Sequence, residues 1–150
     1  YSSLMRSTRR NPVMRAVGCA LLVLVLQAGP AVAGGAGEAA MRTIIERQLM
    51  AFRSGDAETA YAQASPHIRS IFPTSGIFMG MVKAGYAALI RPQDVTFLGL
   101  VPDTLPPVYR VLVEGRDGRR WLALYQMSLQ PGGAWLIGGC TLVRLAGEST

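Results

Sequence analysis

The feature that most constrains this chain is a change of period at Arg91-Pro92. Before it, apolar residues recur at helical spacing. Met41, Ile44, Ile45, Gln48, Leu49 and Phe52 make one stripe, with Arg42, Glu46, Arg47 and Arg53 on the other side. After it, the pattern turns to alternation rich in β-branched and aromatic residues. Four strands are expected: 94–101, 107–116, 119–130 and 134–145. Arg116-Asp117-Gly118-Arg119 and Gln130-Pro131-Gly132-Gly133 are the turns that join the last three into a meander. Helices followed by hairpin-linked strands specify an α+β fold, with N-terminal helices packed on a four-stranded antiparallel sheet. A parallel sheet has no crossover helices to build it.

The helical half is punctuated by residues that start and stop helices. Gly55 ends the first helix, and Asp56 is placed to cap a second from Ala57 to about Ala64, which Ser65-Pro66 ends. A short turn spans Ile68 to Phe72. Beyond Pro73-Thr74-Ser75 a third helix carries Ile77, Phe78, Met81, Val82 and Tyr86 as its apolar stripe and fades at Gly85.

Residues 1–33 have the layout of a secretory signal. Basic residues precede an apolar run from Ala16 to Leu26, and the small-residue site Ala31-Val32-Ala33 follows it. The run is short of the roughly 20 apolar residues that a spanning helix needs, so no stable membrane anchor is expected after cleavage. Residues 34–39 then read as a linker, and residues 40–146 as one domain, periplasmic or secreted. The formal charge of +6 belongs largely to the leader: Arg6, Arg9, Arg10 and Arg15 lie there, leaving eleven basic against nine acidic residues beyond it. Arg116, Arg119 and Arg120 are the only dense basic group, and they flank a hairpin tip. No nucleic-acid partner is implied.

Few residues carry chemistry. Cys140 is the one cysteine outside the leader and sits among apolar neighbours; His67 is the only histidine and follows Ser65-Pro66 in a loop. One His and one Cys without ligand spacing make no metal site, and no phosphate-binding glycine loop is present, so no cofactor is implied. Asp94, Asp103, Glu114 and Asp117 sit at strand ends or loops, Glu46 on the polar side of the first helix, and Asp56 at a cap. On the third strand Trp121, Ala123, Tyr125, Met127 and Leu129 share a face. On the fourth, Trp135, Ile137, Gly139, Thr141 and Val143 oppose Leu136, Gly138, Cys140 and Leu142. Neither strand has a polar face, so something must cover the second side: the helices, a ligand, or a second copy of the chain, which is preferred. Tyr109, Trp121 and Tyr125 on the strands, with Tyr86 and Phe52 from the helices, are the candidates to line a cavity for a small apolar ligand.

Two groups of residues carry a resemblance. Ile44-Ile45-Glu46-Arg47-Gln48-Leu49-Met50-Ala51-Phe52, with Gly55-Asp56 and Ala64-Ser65-Pro66, resembles the opening of the nuclear-transport-factor-2-like superfamily of cone-shaped, cystatin-like α+β domains. Phe78-Met79-Gly80-Met81-Val82 with Tyr86, Arg91-Pro92, Trp121 to Met127, and Trp135 with Gly139-Cys140 is similar to a bacterial family known as domain of unknown function 4864. The resemblance covers about residues 40 to 145. It implies a curved sheet wrapped around a long first helix with a partly open cavity, and it carries no reaction. Two functions follow as expectations. The first is a non-catalytic exported domain that binds a small molecule or a protein. The alternative is a cofactor-free isomerase or dehydratase that uses general acid–base chemistry on a hydrophobic substrate.

Overall fold

The computed structural model describes residues 34–147. Helix α1 runs Gly35–Ser54, so the segment expected as a linker is already helical from its second residue. Met41, Ile45, Gln48, Leu49 and Phe52 are buried along one side of it, with Met41 and Ile45 wholly inaccessible. Burying a side chain of that size stabilises the fold by about 2 kcal/mol. Gly55 closes the helix in the left-handed conformation (φ 73°): its N–H reaches the Phe52 carbonyl and the Asp56 N–H reaches that of Ala51.

Asp56 then caps α2 (Ala57–Ala62), accepting from the hydroxyl and the N–H of Thr59. Those two bonds hold its carboxyl below the usual range. The chain does not simply turn at Ser65-Pro66 as expected. Ser65 caps a further helix, α3 (Pro66–Ile71), with Pro66 in the first turn, where its missing N–H costs nothing. Helix α4 (Ser75–Gly85) starts on the Thr74 cap and ends at Gly85 as expected. Its buried side is Phe78, Met79 and Val82; Ile77, expected on the stripe, is 53% exposed. A short 3₁₀ turn, Ala87–Leu89, leads to the sheet.

The strands are β1 (Asp94–Leu100), β2 (Val108–Glu114), β3 (Arg120–Leu129) and β4 (Trp135–Arg144). They form one antiparallel meander in the order β1-β2-β3-β4, an open sheet with helices on one face. Val111, Val113, Ala123 and Tyr125 fill the centre of the covered face and pack with the buried side of α1 in one core.

Two irregularities reset which residues face the core. In β1 the register shifts at Leu98-Gly99, and Gly99 takes φ +88°. In β4 the partners change from Gln126↔Gly139 to Met127↔Ile137, which leaves Gly138 as the extra residue. Simple alternation along β4 is therefore wrong. Trp135 and Ile137 keep their place, while Cys140 and Leu142 join them against the core; Gly139, Thr141 and Val143 pass to the open side with Leu136.

The bulged segment also ties the helices to the sheet. The Ile137 N–H donates to the Gln63 carbonyl at 2.8 Å, and the Ser65 N–H donates to the Ile137 carbonyl at 2.8 Å. Tyr86 Oη donates to the Cys140 carbonyl at 2.9 Å. Among the described residues no helix is long and apolar enough to cross a membrane.

The open sheet face carries Leu112, Leu122 and Leu124, each partly buried, with Val143 exposed beside them and Arg110, Arg120 and Gln126 around them. No described helix covers it.

Replacing Gly99 with alanine forces an L residue into positive φ, and the new methyl would stand 2.8 Å from Glu38 Oε1, which can swing away. The backbone strain remains, so Gly99→Ala is expected to lower unfolding stability by about 1–2 kcal/mol, read from urea denaturation.

Candidate functional site

The bulge in β4 and the bond from Tyr86 hold one wall of an apolar cavity of about 300 Å³. Ile137, Cys140 and the backbone of Gly139 form that wall, and Gln48 and Phe52 of α1 face it. Ala64, Ile68 of α3 and Phe72 just beyond it, Phe78, Met81 and Val82 of α4, then Tyr86 and Leu89 complete it. Phe78 is the hub of an aromatic cluster. Its ring lies 6.4 Å from Phe52 in a stacked arrangement, 5.6 Å from Tyr61 and 6.4 Å from Phe72 edge-on. Such pairs add about 0.5–1.5 kcal/mol each beyond their buried area, so the aromatic side of the cavity is a rigid surface. Tyr61 in turn donates to the Phe72 carbonyl at 2.6 Å, which pins α3 beside it.

Three polar groups reach this cavity. Gln48 is buried and donates from Nε2 to the Ala60 carbonyl at 3.2 Å; among the described residues nothing donates to its Oε1, which leaves an acceptor at the α1 wall. The Tyr86 hydroxyl has spent its proton on Cys140, and burial raises its pKa. Burial pushes the Cys140 thiol up to about 12. A thiol that holds its proton so firmly is a poor nucleophile at neutral pH and behaves as a small apolar group.

The candidates named from the sequence divide in two. Phe52 and Tyr86 line the cavity. Tyr109 and Tyr125 are buried in the core on the covered face and do not line it; Trp121 shares their side of the sheet by register but belongs neither to the core nor to the lining. Tyr125 is directly opposite Cys140 yet wholly buried, with its hydroxyl unpartnered, so desolvation holds its pKa well above the ordinary value. Tyr109 is buried one strand further on, its ring edge-on to Phe97 at 6.1 Å. Arg42, bound to Glu46 at 2.8 Å, lies 4.5 Å above the Phe97 ring and roofs that end. Trp121 pairs with Arg144 and is half-buried, four residues from Tyr125, about 13 Å along the strand. Tyr109 and Tyr125 face the core, but position along the strand decides which residues meet the cavity.

Neither acid nor histidine is among the lining residues. Asp117 lies in the β2–β3 turn near Arg119, Asp56 is held by Thr59, Glu46 by Arg42, and Glu58 accepts from Ser75. His67 is exposed on α3. Among the described residues no three His, Cys, Asp or Glu side chains cluster as metal ligands would. Besides its aliphatic and aromatic lining, the cavity has a polar residue that sequence reasoning passed over, Gln48. Its signal was visible: a carboxamide at a core-facing position of an otherwise apolar stripe.

The Cys140 thiolate at pH 8 is expected to be about a thousandfold scarcer than that of an ordinary thiol. Alkylation by iodoacetamide, followed by mass spectrometry, should be slower by a comparable factor in the folded protein and should reach the ordinary rate in urea. The same shift makes folding alkali-sensitive. The unfolded thiol ionises near 9 while the folded one stays neutral to about 12, so this group's stabilising effect is complete below pH 9 and lost as pH climbs through that window.

A family model described as Domain of unknown function (DUF4864) matches residues 35–150. Among curated proteins and among solved structures, none matches the chain.

Proposed function

The chain belongs to the DUF4864 family, and from that premise we propose that it is an exported, non-catalytic domain that holds a small apolar molecule between α1, α3, α4 and β4. The observation that carries this reading is the character of the 300 Å³ cavity: an aromatic and aliphatic surface whose polar side chains, among the described residues, are an amide, a phenol and a neutral thiol. General acid–base catalysis would call for a carboxylate or imidazole at the lining, with its pKa tuned toward neutrality. Gln48 Oε1 suits a ligand with one hydroxyl or N–H on an otherwise apolar body, since no described residue donates to it and a carboxamide oxygen accepts such a bond. Export rests on the basic, apolar and small-residue succession of residues 1–33, which lie outside the described structure.

A second reading has its own support. Leu112, Leu122, Leu124 and Val143 form an apolar row across the open sheet face, and a second copy of the chain is the proposed cover.

Native mass spectrometry of the protein purified from its own host tests these readings together. The expected species begins at Gly34, carries a small molecule, and is a dimer. Met81→Trp narrows the cavity at its α4 wall and should cut ligand occupancy at least about tenfold while leaving the dimer intact. A ligand-free protein whose occupancy cannot be raised by any apolar compound with a single donor would refute the binding function. A monomer at micromolar concentration would refute the sheet-face contact.

A further inference from the structure

On the far side of Phe52 a second hollow, about 450 Å³, opens between the end of α1, the start of α2, and the outer side of α4. Phe52 is the one residue that lines both spaces. Its floor is apolar: Phe52, Ala57, Met79 and Ile90. Gly76 and Gly80 stand one turn apart on α4 and keep the space open, for a methyl group added at Gly80 would meet nothing within 4 Å. A glycine inside a helix costs about 1 kcal/mol relative to alanine, so the room it leaves comes at the expense of helix stability.

The charge around this hollow is polarised. At one end Lys83 and Arg91 both line it, and among the described residues neither forms an ion pair. Arg91 is oriented by its Nε bond to the Arg53 carbonyl, which leaves its two terminal nitrogens free of any described bond. Among the described residues no acid lines the hollow; Glu58 accepts from Ser75 at the start of α4, the end away from Lys83, and Asp56 is taken up by its cap bonds with Thr59. From Gly76 to Lys83 the helix rises about 10 Å. We propose that this hollow is a binding site for an amphipathic carboxylate about 10 Å long, its apolar tail along Gly76 and Gly80 and its carboxylate between Lys83 and Arg91. The chemistry differs from that of the cavity behind Phe52, which offers an acceptor and no cation.

The test is a titration of the ¹⁵N-labelled protein with octanoate, followed by amide chemical shifts, with octan-1-ol as the uncharged probe of equal length. Octanoate should shift Gly76, Met79 and Gly80, and it should bind more tightly than the alcohol. Gly80→Leu fills the floor without touching the core and should abolish the shifts of Gly76 and Met79 with both probes. Lys83→Met combined with Arg91→Met should weaken octanoate about tenfold and leave the alcohol within about twofold. Shifts confined to Ile68, Phe72 and Cys140, or no shift at Gly76 and Gly80 up to the solubility of the probe, would overturn the proposal. So would octanoate shifts at Gly76 and Met79 that survive Gly80→Leu, or that saturate at an unchanged concentration in the double substitution.

Discussion

The three hydrogen bonds between the bulged part of β4 and the helical layer govern this structure. Ile137 commits both its N–H and its carbonyl to the α2–α3 junction, through Gln63 and Ser65, and Tyr86 takes the Cys140 carbonyl. Each is an ordinary bond worth about 1 kcal/mol net. Their effect is positional. They fix α3 and the end of α4 against the sheet at one end, while α1 lies against the buried face, and the aromatic-lined cavity is the space those helices cannot fill.

The glycine pair at 138–139 is what makes that anchorage fit. Without the extra residue, strict alternation would turn Cys140 and Leu142 away from the core and bring Gly139 and Thr141 toward it. Two backbone-sized residues there let the strand change register beside Gln126, whose side-chain oxygen would lie 3.2 Å from a methyl group on Gly139. The wall of the cavity is thus set by a local backbone defect rather than by the side chains of a regular strand.

That explains what the amino-acid order disclosed. Strand limits were legible to within two residues, because turn residues such as Asp117-Gly118 and Pro131-Gly132 mark hairpins directly. Helix α3 was missed because Ser-Pro after a helix was taken as a stop, when the same pair is a cap and a first-turn proline. The faces of β4 were misassigned because alternation assumes an unbroken ladder. For the cavity, the periodic pattern selected core-facing aromatics but carried no information about distance along the strand, so Phe52 and Tyr86 lie at the cavity while Tyr109, Trp121 and Tyr125 do not. The basic residues beside Gly80 had no sequence signal, since Lys83 and Arg91 come to one hollow only when the chain turns through Ala87–Leu89 and Arg91 meets the end of α1 at the Arg53 carbonyl.

The two register shifts fall on the two outermost strands, and each is dressed by a polar contact. In β4 the helix junction takes the backbone of Ile137; in β1 the Arg110 guanidinium reaches the carbonyls of Leu98, Gly99 and Leu100. An open four-stranded sheet would otherwise offer a flat ladder at either side on which further chains could add indefinitely. Kinked and partly satisfied, both margins are poor templates for strand addition. Growth of this protein into fibres is thereby discouraged at the backbone, and the leucine side chains of the open face, rather than its strand edges, are the surface this sheet presents.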